Sequence, residues 1–259
     1  MNEYLEKRFN GIDKIYHKGA LNLLCEKHIC VIGIGGVGSW TVECLARSGV
    51  GNLTLIDFDN VGLSNTNRQI HALSDNYGKS KIDVMKERIL KINQHCNVNL
   101  VEDFISPDNI SSIMQNQKFD YIIDATDDIK AKTCILLYGL KNKIPFVICG
   151  SAGGKKDASL IKWDKLSNVQ HDPLLAKLRY ILRKQHGFKE KININCLYSS
   201  EPKQNKKSTI QNLNNTDNNS IQTNSCGGLS CDGYGSLVGI TATMGFMLGQ
   251  YVLNKICVE

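Results

Sequence analysis

Short apolar runs alternate with longer segments of helical periodicity along the first 150 residues. The runs are rich in β-branched residues, as is typical of strands buried on both faces, and they lie at 28–34, 53–56, 98–101, 121–123 and 146–149. Helical patterns follow three of these runs, at 39–47, 79–92 and 129–143. The alternation predicts an α/β fold, with a Rossmann-like, mostly parallel sheet and helices on both faces.

The pattern changes after residue 150, so we expect a C-terminal α+β extension over 151–259 beside a Rossmann-like domain over 1–150. Strands are predicted at 159–163 and 193–199. A helix over 172–185 begins at Asp172 and Pro173, a capping residue followed by one suited to the first helical turn. The range 203–225 has almost no large apolar side chains, which predicts a mobile polar loop.

The last apolar segment, 236–254, carries no charge and is about long enough to span a bilayer. Glycines, Thr241, Thr243 and Gln250 interrupt it. These residues favour a helix buried in the core or in a dimer interface. Membrane association through this segment stays the minor alternative.

Composition fits an ordinary globular protein, with 42% hydrophobic residues and a net charge of +6. This mild basic excess permits a polyanionic partner without requiring one. Ten cysteines are present, but several lie inside apolar segments and the polar start of the chain does not resemble a signal peptide. We therefore expect a reduced, cytoplasmic protein. No two cysteines have the C-x-x-C spacing, so we expect no zinc.

A glycine-rich loop provides the first candidate chemistry. Gly33-Ile34-Gly35-Gly36-Val37-Gly38 follows the first strand and precedes a helix, and Asp57 ends the next strand. Such a loop approaches phosphate closely and presents helix N-terminal amides to it, while the acidic residue accepts hydrogen bonds from ribose. The motif indicates a nucleotide, with NAD as the default.

Other charged residues favour a triphosphate over NAD. Arg68 and Lys81 follow the second strand and supply positive charge for phosphates. Asp124 and Asp127 come where the fourth strand ends, at the edge of the sheet where ligands bind in open α/β folds. A carboxylate there can hold Mg²⁺ against phosphate oxygens.

These motifs together resemble the adenylation domain of ubiquitin-activating enzymes, ThiF and MoeB. The shared segments are 32–39, 55–59, 65–69 and 124–127. Four further segments resemble, more specifically, the bacterial tRNA threonylcarbamoyladenosine dehydratases, also called TcdA or CsdL, and lie at 67–73, 103–109, 142–145 and 172–179. The resemblance runs from about Arg8 to the C-terminal helix, apart from the polar loop.

The resemblance implies an enzyme that uses ATP and Mg²⁺ on threonylcarbamoyladenosine, next to the anticodon of tRNA. The threonine carboxylate becomes an acyl-adenylate, and the modification then closes to a ring with loss of water. Catalytic roles are implied for Arg68 and Lys81 on phosphates, for Asp124 on Mg²⁺, and for Arg8, which reaches the ATP site of the partner in a homodimer. The implied nucleotide-binding residues are Gly33, Gly35, Gly36, Gly38, Asp57, Asp59, Asn65, Arg68, Gln69, Lys81 and Asp124.

The predicted helix at 172–185 carries a basic face that the resemblance assigns to tRNA phosphates. Its members are Lys177, Arg179, Arg183 and Lys184. Cys231 matches a cysteine position of the family, and we favour a buried structural thiol there. A sulfur-handling role with a cysteine desulfurase or sulfur-acceptor partner stays open.

Three other functions compete with the dehydratase interpretation. The first is an adenylating activator of a ubiquitin-like or sulfur-carrier protein, of the ThiF or MoeB type, against which the absence of C-x-x-C pairs counts. The second is an NAD-dependent oxidoreductase, which Arg68, Lys81 and Asp124 disfavour. The third is a membrane-tethered scaffold, which requires the 236–254 segment to insert.

Overall fold

The computed structural model describes residues 3–115, 117–188, 192–202 and 235–258. Strands in these ranges form one seven-stranded sheet in the order β3-β2-β1-β4-β5-β7-β6. The strands are β1 His28–Ile32, β2 Asn52–Ile56, β3 Asn97–Val101, β4 Tyr121–Asp124, β5 Phe146–Cys149, β6 Ile161–Lys165 and β7 Asn195–Ser199. The predicted polar loop at 203–225 lies outside the described residues, as do Cys226 and Cys231.

Helices cover both faces of this sheet. They are α1 Glu3–Phe9, α2 Gly11–Ile15, α3 Ala20–Glu26, α4 Gly36–Arg47, α5 Lys81–Ile92, α6 Ile110–Met114, α7 Ile129–Asn142, α8 Pro173–Gln185 and α9 Val238–Cys257. Alternate residues of β1 point to opposite faces, as the pleat requires. Ile29 and Val31 join the apolar core under α4 and α9, whereas Cys30 and Ile32 join the core under α6 and α7.

All strand pairs are parallel except β6 with β7, which is antiparallel at the edge. The predicted fold class, a Rossmann-like and mostly parallel α/β sheet, is thereby confirmed. Strands β1, β2 and β3 follow one another outward from the centre, and β4 and β5 follow on the other side of β1. The strand order therefore reverses between β1 and β4, and ligands of such sheets bind at the carboxyl ends of those two strands.

The C-terminal part of the chain continues the same sheet. β7 pairs with β5, so the predicted division at residue 150 falls between elements of one sheet. α9 lies against α4 at close range, because a Cβ on Gly245 would stand only 2.6 Å from the Val37 carbonyl oxygen. The predicted apolar helix is thus part of the core, and no helix in the described ranges is long and apolar enough to cross a membrane.

Candidate nucleotide site

A cavity of about 330 Å³ lies at the carboxyl edge of the sheet, where the strand order reverses. The glycine loop, the segment after β2, the start of α5 and the turns after β4 and β5 surround it. Gly38 and Asp124 are the two predicted nucleotide-binding residues that do not line this cavity. Those that do are Gly33, Gly35, Gly36, Asp57, Asp59, Asn65, Arg68, Gln69 and Lys81.

The glycine loop packs so tightly that side chains are excluded at two of its positions. Gly33 has a φ of +86°, and a Cβ there would stand 2.9 Å from the Thr126 backbone nitrogen. A Cβ on Gly38 would stand 1.8 Å from the Gly33 carbonyl oxygen. The turn therefore sits directly on the first turn of α4, whose backbone N–H groups begin at the cavity and favour an anion there.

Asp57 is held in place by the loop that it faces. Its Oδ2 accepts a hydrogen bond from the Ile34 N–H at 2.6 Å, and its Oδ1 accepts one from the Asp59 N–H at 2.9 Å. Burial raises the pKa of this carboxyl, while the Lys81 ammonium acts in the opposite direction. Lys81 itself is buried and donates to Asp59 Oδ2 at 2.6 Å.

The Arg68 main chain is fixed by two helices from different parts of the chain. Its carbonyl oxygen accepts from Trp40 Nε1 of α4 at 3.0 Å and from Thr241 Oγ1 of α9 at 3.1 Å. Its guanidinium donates to the Ser64 carbonyl and to Asn67 Oδ1. Thr241, which the sequence had indicated only as a polar interruption of an apolar helix, therefore helps to build the site.

Asp124 does not reach the cavity. Its side chain is completely buried, and its Oδ2 accepts from Lys132 Nζ of α7 at 2.9 Å. Its Oδ1 accepts from the backbone N–H of Thr126 at 3.0 Å and from the Thr126 hydroxyl at 2.7 Å. The carboxylate at this strand end that does line the cavity is Asp127, and burial raises its pKa.

A second cavity of about 550 Å³ adjoins the first and shares Gly33, Asp57 and Asp127 with it. Its outer wall carries two aromatic rings, Phe58 and Phe104, which are 60% and 56% exposed. Their ring centroids lie 6.0 Å apart in an edge-to-face arrangement. The second cavity therefore offers an apolar, aromatic surface next to the carboxylate that the sequence assigns to ribose.

Among the residues that the structure describes, two buried polar atoms on the wall of the first cavity have no hydrogen-bond partner. They are Gln69 Oε1 and Ser236 Oγ. Buried polar groups are rarely left unpaired, because desolvation without a partner costs about 1–3 kcal/mol. Both atoms therefore fit a ligand that carries polar groups.

Arg8 lies outside the lining of both cavities. Its guanidinium donates to the Ile92 carbonyl at the end of α5 at 2.6 Å, and its role toward a partner subunit stays a prediction. On α8, Lys177, Arg183 and Lys184 are exposed. Arg179 differs from them because its guanidinium is half-buried and donates to the backbone carbonyls of residues 166 and 169, at 2.8 and 3.0 Å.

His71, which the sequence analysis did not single out, is buried behind the cavity. It is 1% exposed, and neither ring nitrogen has a hydrogen-bond partner in the described part of the chain. Burial, together with the charges of Lys81 and Arg88, lowers the pKa of His71 to about 3. The folded protein therefore holds this ring neutral.

We expect His71 to make the fold sensitive to acid. Its pKa is about 6.5 in an unfolded chain, so below that pH the unfolded state binds a proton that the folded state refuses. The contribution of the neutral His71 to the free energy of unfolding is complete above pH 6.5. It falls by about 1.4 kcal/mol per pH unit toward pH 3. Denaturant unfolding at pH 7 and pH 5 should show a loss about 2 kcal/mol smaller in His71→Leu than in wild type. An equal loss in both proteins would contradict this expectation.

The site combines a glycine turn on a helix N-terminus with Arg68 and Lys81, at the point where the strand order reverses. This combination defines the class of protein, an α/β protein that binds a phosphate-bearing nucleotide. The chain belongs to the ThiF family, whose model matches residues 10–258. The resemblance to that family is thereby confirmed.

Individual relatives show which enzymes the chain is similar to. The chain is 43% identical over 255 residues to the tRNA threonylcarbamoyladenosine dehydratase of Haemophilus influenzae, covering 97% of this chain and 94% of that protein. It is also similar to the crystal structure of the Escherichia coli tRNA N6-threonylcarbamoyladenosine dehydratase, TcdA, in complex with ATP. That match has a TM-score of 0.85 and 39% identity, over 98% of this chain and 96% of that one. The complex of the same enzyme with AMP matches with a TM-score of 0.84 and 40% identity, over the same shares of the two chains.

Proposed function

We propose that this protein is an ATP-dependent tRNA threonylcarbamoyladenosine dehydratase. It activates the threonine carboxylate of the modified adenosine as an acyl-adenylate and then closes the modification to a ring, with net loss of water. The observation that carries the proposal is the first cavity, where the glycine turn, Arg68, Lys81 and Asp127 meet. It occurs in a chain that matches dehydratases along nearly its whole length.

The chemistry requires the positive charge of this cavity. A carboxylate is a poor electrophile, because its oxygen is a poor leaving group, and transfer of AMP onto it supplies a good one. Arg68, Lys81 and the N-terminus of α4 bind the phosphates and offset the charge that develops on them during transfer. They also hold the α-phosphate in line with the attacking carboxylate oxygen.

The nucleoside half of ATP fits the second cavity. Asp57 lines both cavities, so its carboxylate binds the ribose hydroxyls at their junction. Phe58 and Phe104 then provide an apolar, aromatic surface for the adenine ring. This placement leaves the first cavity to the phosphates and to the carboxylate being activated.

Magnesium is the metal that such a phosphate transfer uses, and the two carboxylates at the end of β4, Asp124 and Asp127, are the residues that would hold it. Asp127 lines the first cavity, and Asp124 ends the strand beside it, bonded to Lys132 and Thr126. Within the ranges that the structure describes, no three metal-binding side chains cluster together. This donor set fits Mg²⁺, which binds through one or two carboxylates together with substrate phosphates and water. When bound, the ion neutralises phosphate charge.

The part of the first cavity that Cys149, Ser151 and Ser236 line receives the substrate. Gln69 lines the same cavity. The threonylcarbamoyl group carries hydroxyl, carbonyl and N–H groups, which suit the unpaired Gln69 Oε1 and Ser236 Oγ. Cys149 is not the nucleophile, because burial raises the pKa of its thiol to about 12 and keeps it protonated. In this proposal the carbamoyl group of the substrate attacks the adenylate carbonyl itself, and AMP leaves.

The test is nucleoside analysis of tRNA that carries the open threonylcarbamoyl group, after incubation with the purified protein, ATP and Mg²⁺. We expect a nucleoside lighter by one water, formed only when ATP is present, with AMP appearing in equal amount. AMP formed only after addition of a small carrier protein would instead support the ThiF- or MoeB-type activator. ATP binding without either product would refute the proposed activity.

The exposed basic residues of α8 bind tRNA phosphates in this proposal. The triple substitution of Lys177, Arg183 and Lys184 by alanine should raise the KM for tRNA about tenfold or more and make it less dependent on salt. The KM for ATP should not change, because none of the three residues lines either of the two cavities described above. Arg179→Ala is the contrasting variant and should lower thermal stability, because it removes the two bonds to backbone carbonyls. A tRNA KM that is unaffected by the triple substitution would contradict this assignment.

The protein acts as a homodimer in which Arg8 reaches the partner's ATP site. Arg8→Ala and Arg68→Ala should each be inactive alone, and mixing them under exchange conditions should restore about a quarter of wild-type activity. Half of the dimers are then mixed, and one of their two sites has both arginines. No recovery, in mixtures where subunit exchange is verified, would show that Arg8 acts within its own chain, and an active Arg8→Ala would show that Arg8 has no role.

The cellular setting follows from the substrate. A tRNA-modifying enzyme works in the reducing cytoplasm, and the eight cysteines of the described ranges are free thiols. Cooperation with a cysteine desulfurase or sulfur-acceptor system stays a prediction.

A further inference from the structure

Asp172 joins the start of α8 to the turn that follows β5. Its Oδ1 accepts a hydrogen bond from the Leu175 N–H at 2.9 Å, which caps the helix, and its Oδ2 accepts one from the Ser151 N–H at 2.9 Å. Ser151 lines the first cavity, whereas Asp172 lines neither of the two cavities. One carboxylate therefore holds a helix end with one oxygen and a wall of the nucleotide site with the other.

The carboxylate of Asp172 packs directly on the backbone of this turn. A Cβ on Gly150 would stand 2.1 Å from Asp172 Oδ2, so only glycine leaves room for the contact. Lys155, which follows in the same loop, makes a second connection, because its buried ammonium donates to the His171 carbonyl at 3.2 Å. The loop after β5 and the residues before α8 are thus joined at two points.

A helix cap alone does not require a buried carboxylate. Asp172 is 3% exposed, and serine or asparagine caps a helix about as well as aspartate does, without the desolvation cost of a charge. Asp128, the cap of α7, makes the same kind of bond, to the Ala131 N–H at 2.7 Å, from an exposed position. The bond to Ser151 distinguishes Asp172 from this ordinary cap.

α8 is attached to the sheet along its apolar side. Three of its leucines are buried in one cluster with Ile148 of β5 and Tyr198 of β7. Its exposed surface carries the basic residues that bind tRNA phosphates in the proposed function. A tRNA bound there is therefore held at a fixed distance from β5 and from the turn that follows it.

We propose that Asp172 is a positioning residue that fixes the Gly150–Ser151 turn relative to α8, and with it the threonine carboxylate relative to the tRNA phosphates. The substrate is one covalent molecule, so the phosphates on α8 and the carboxylate in the first cavity must fit the protein at the same time. A turn displaced by about 1 Å can cost about a hundredfold in rate, because the reacting atoms are no longer in line. This kinetic consequence rests on the proposed function.

The test compares Asp172→Ser with Asp120→Ser. Serine keeps the cap of α8 but lacks the oxygen that faces Ser151. Asp120 also joins two segments, through the His28 N–H at 2.9 Å and Lys27 Nζ at 3.1 Å, but it does so at the amino end of β4, away from the site. Thermal melts monitor folding, titrations measure ATP affinity, single-turnover assays at saturating tRNA measure adenylate formation, and amide hydrogen exchange follows the Ser151 N–H.

We expect Asp172→Ser to slow adenylate formation by about 10–100-fold, with the affinity for ATP and the half-saturating tRNA concentration unchanged. The Ser151 amide should exchange at least about tenfold faster, as when a hydrogen bond to a charged acceptor is lost, while the amides of α8 stay protected. Asp120→Ser should melt earlier and form the adenylate at the normal rate. A normal rate in a folded Asp172→Ser, or an equal loss of rate in both variants, would overturn the proposal.

Asp172→Asn covers the case in which Asp172→Ser does not fold. Asparagine has nearly the same shape and caps helices well, but its single amide oxygen can accept from only one of the two N–H groups. Its rate should follow its exchange, so that adenylate formation is slow if the Ser151 amide exchanges faster and normal if that amide stays protected. Fast exchange at Ser151 with a wild-type rate would overturn the proposal. If the wild-type protein binds ATP but forms no cyclic nucleoside, the proposed activity fails, and exchange at Ser151 still decides whether Asp172 holds the turn.

Discussion

Arg68→Ala should slow adenylate formation by at least about a hundredfold, the effect seen when one preorganised donor to a transition-state charge is removed. Trp40 and Thr241 bond the carbonyl of Arg68 rather than its side chain. The main chain at this position therefore stays in place, and the loss comes from the guanidinium alone. Release of pyrophosphate under single-turnover conditions measures the effect directly, because pyrophosphate leaves when the adenylate forms.

The split between kinetic constants makes the Arg68 result specific. We expect kcat to fall, because the guanidinium acts most strongly on charge that develops during phosphate transfer. The KM for tRNA should stay near its wild-type value. Lys141→Ala, an exposed lysine in the last turn of α7, is the matched loss of one positive charge and should behave as wild type. Normal turnover in Arg68→Ala would remove phosphate binding from the roles of this residue.

Gly38→Ala should destabilise the fold by about 3 kcal/mol or more and abolish ATP binding, because overpacking against rigid backbone cannot be relieved by a rotamer change. The added Cβ would stand 1.8 Å from the Gly33 carbonyl oxygen and 3.3 Å from the Ala125 side chain. Either α4 moves away from the sheet or the glycine turn moves into the cavity. Thermal melts and ATP titrations report the two consequences separately.

Gly239→Ala is the control for the glycine prediction. Gly239 lies in the first turn of α9, and a Cβ there would meet nothing within 4 Å. Alanine should therefore be neutral or stabilise the protein by up to about 1 kcal/mol, since it lowers the entropy of the unfolded chain. A Gly38→Ala protein as stable as Gly239→Ala would show that the loop and α4 can separate without loss.

The order and type of the main elements could be predicted from local pattern. Buried parallel strands appear as β-branched apolar runs, and the helices that connect them carry an amphipathic period. The glycine loop could be placed because its strand before, helix after and acidic residue beyond are all local features. The register of β6 against β7, and the way both join the sheet beside β5, depend on pairings across long stretches of chain, which local pattern does not contain.

The site, too, could be predicted only in part from local pattern. The sequence places Asp124 and Asp127 at the end of one strand but does not reveal which side chain lines the cavity. That depends on Lys132 and Thr126, which bond both oxygens of Asp124, whereas Asp127 lines the cavity. Spacing on α7 placed Lys132 in a helix, yet only packing against the sheet shows that its ammonium points inward.

The basic face of α8 is a second example. Arg179 and Arg183 lie one turn apart on the same side of the helix, so periodicity gives no reason to separate them. They differ because the segment after β6 packs beside Arg179 and presents the carbonyls of residues 166 and 169 to it. The positions of backbone acceptors in an irregular loop cannot be predicted from the pattern of side chains.

The hydrogen bond from Thr241 to the Arg68 carbonyl limits how sequences of this family can be recombined. The segment that carries Arg68 is held between α4 and α9. Trp40 of α4 and Thr241 of α9 both donate hydrogen bonds to the Arg68 carbonyl oxygen. Gly245 and Gly249 additionally set how closely the two helices approach. A chimera that takes residues 235–258 from a distant relative would therefore contain a helix whose surface packs against a different α4. Functional hybrids should require the two helices and the Arg68 segment to be exchanged together, as one inherited block.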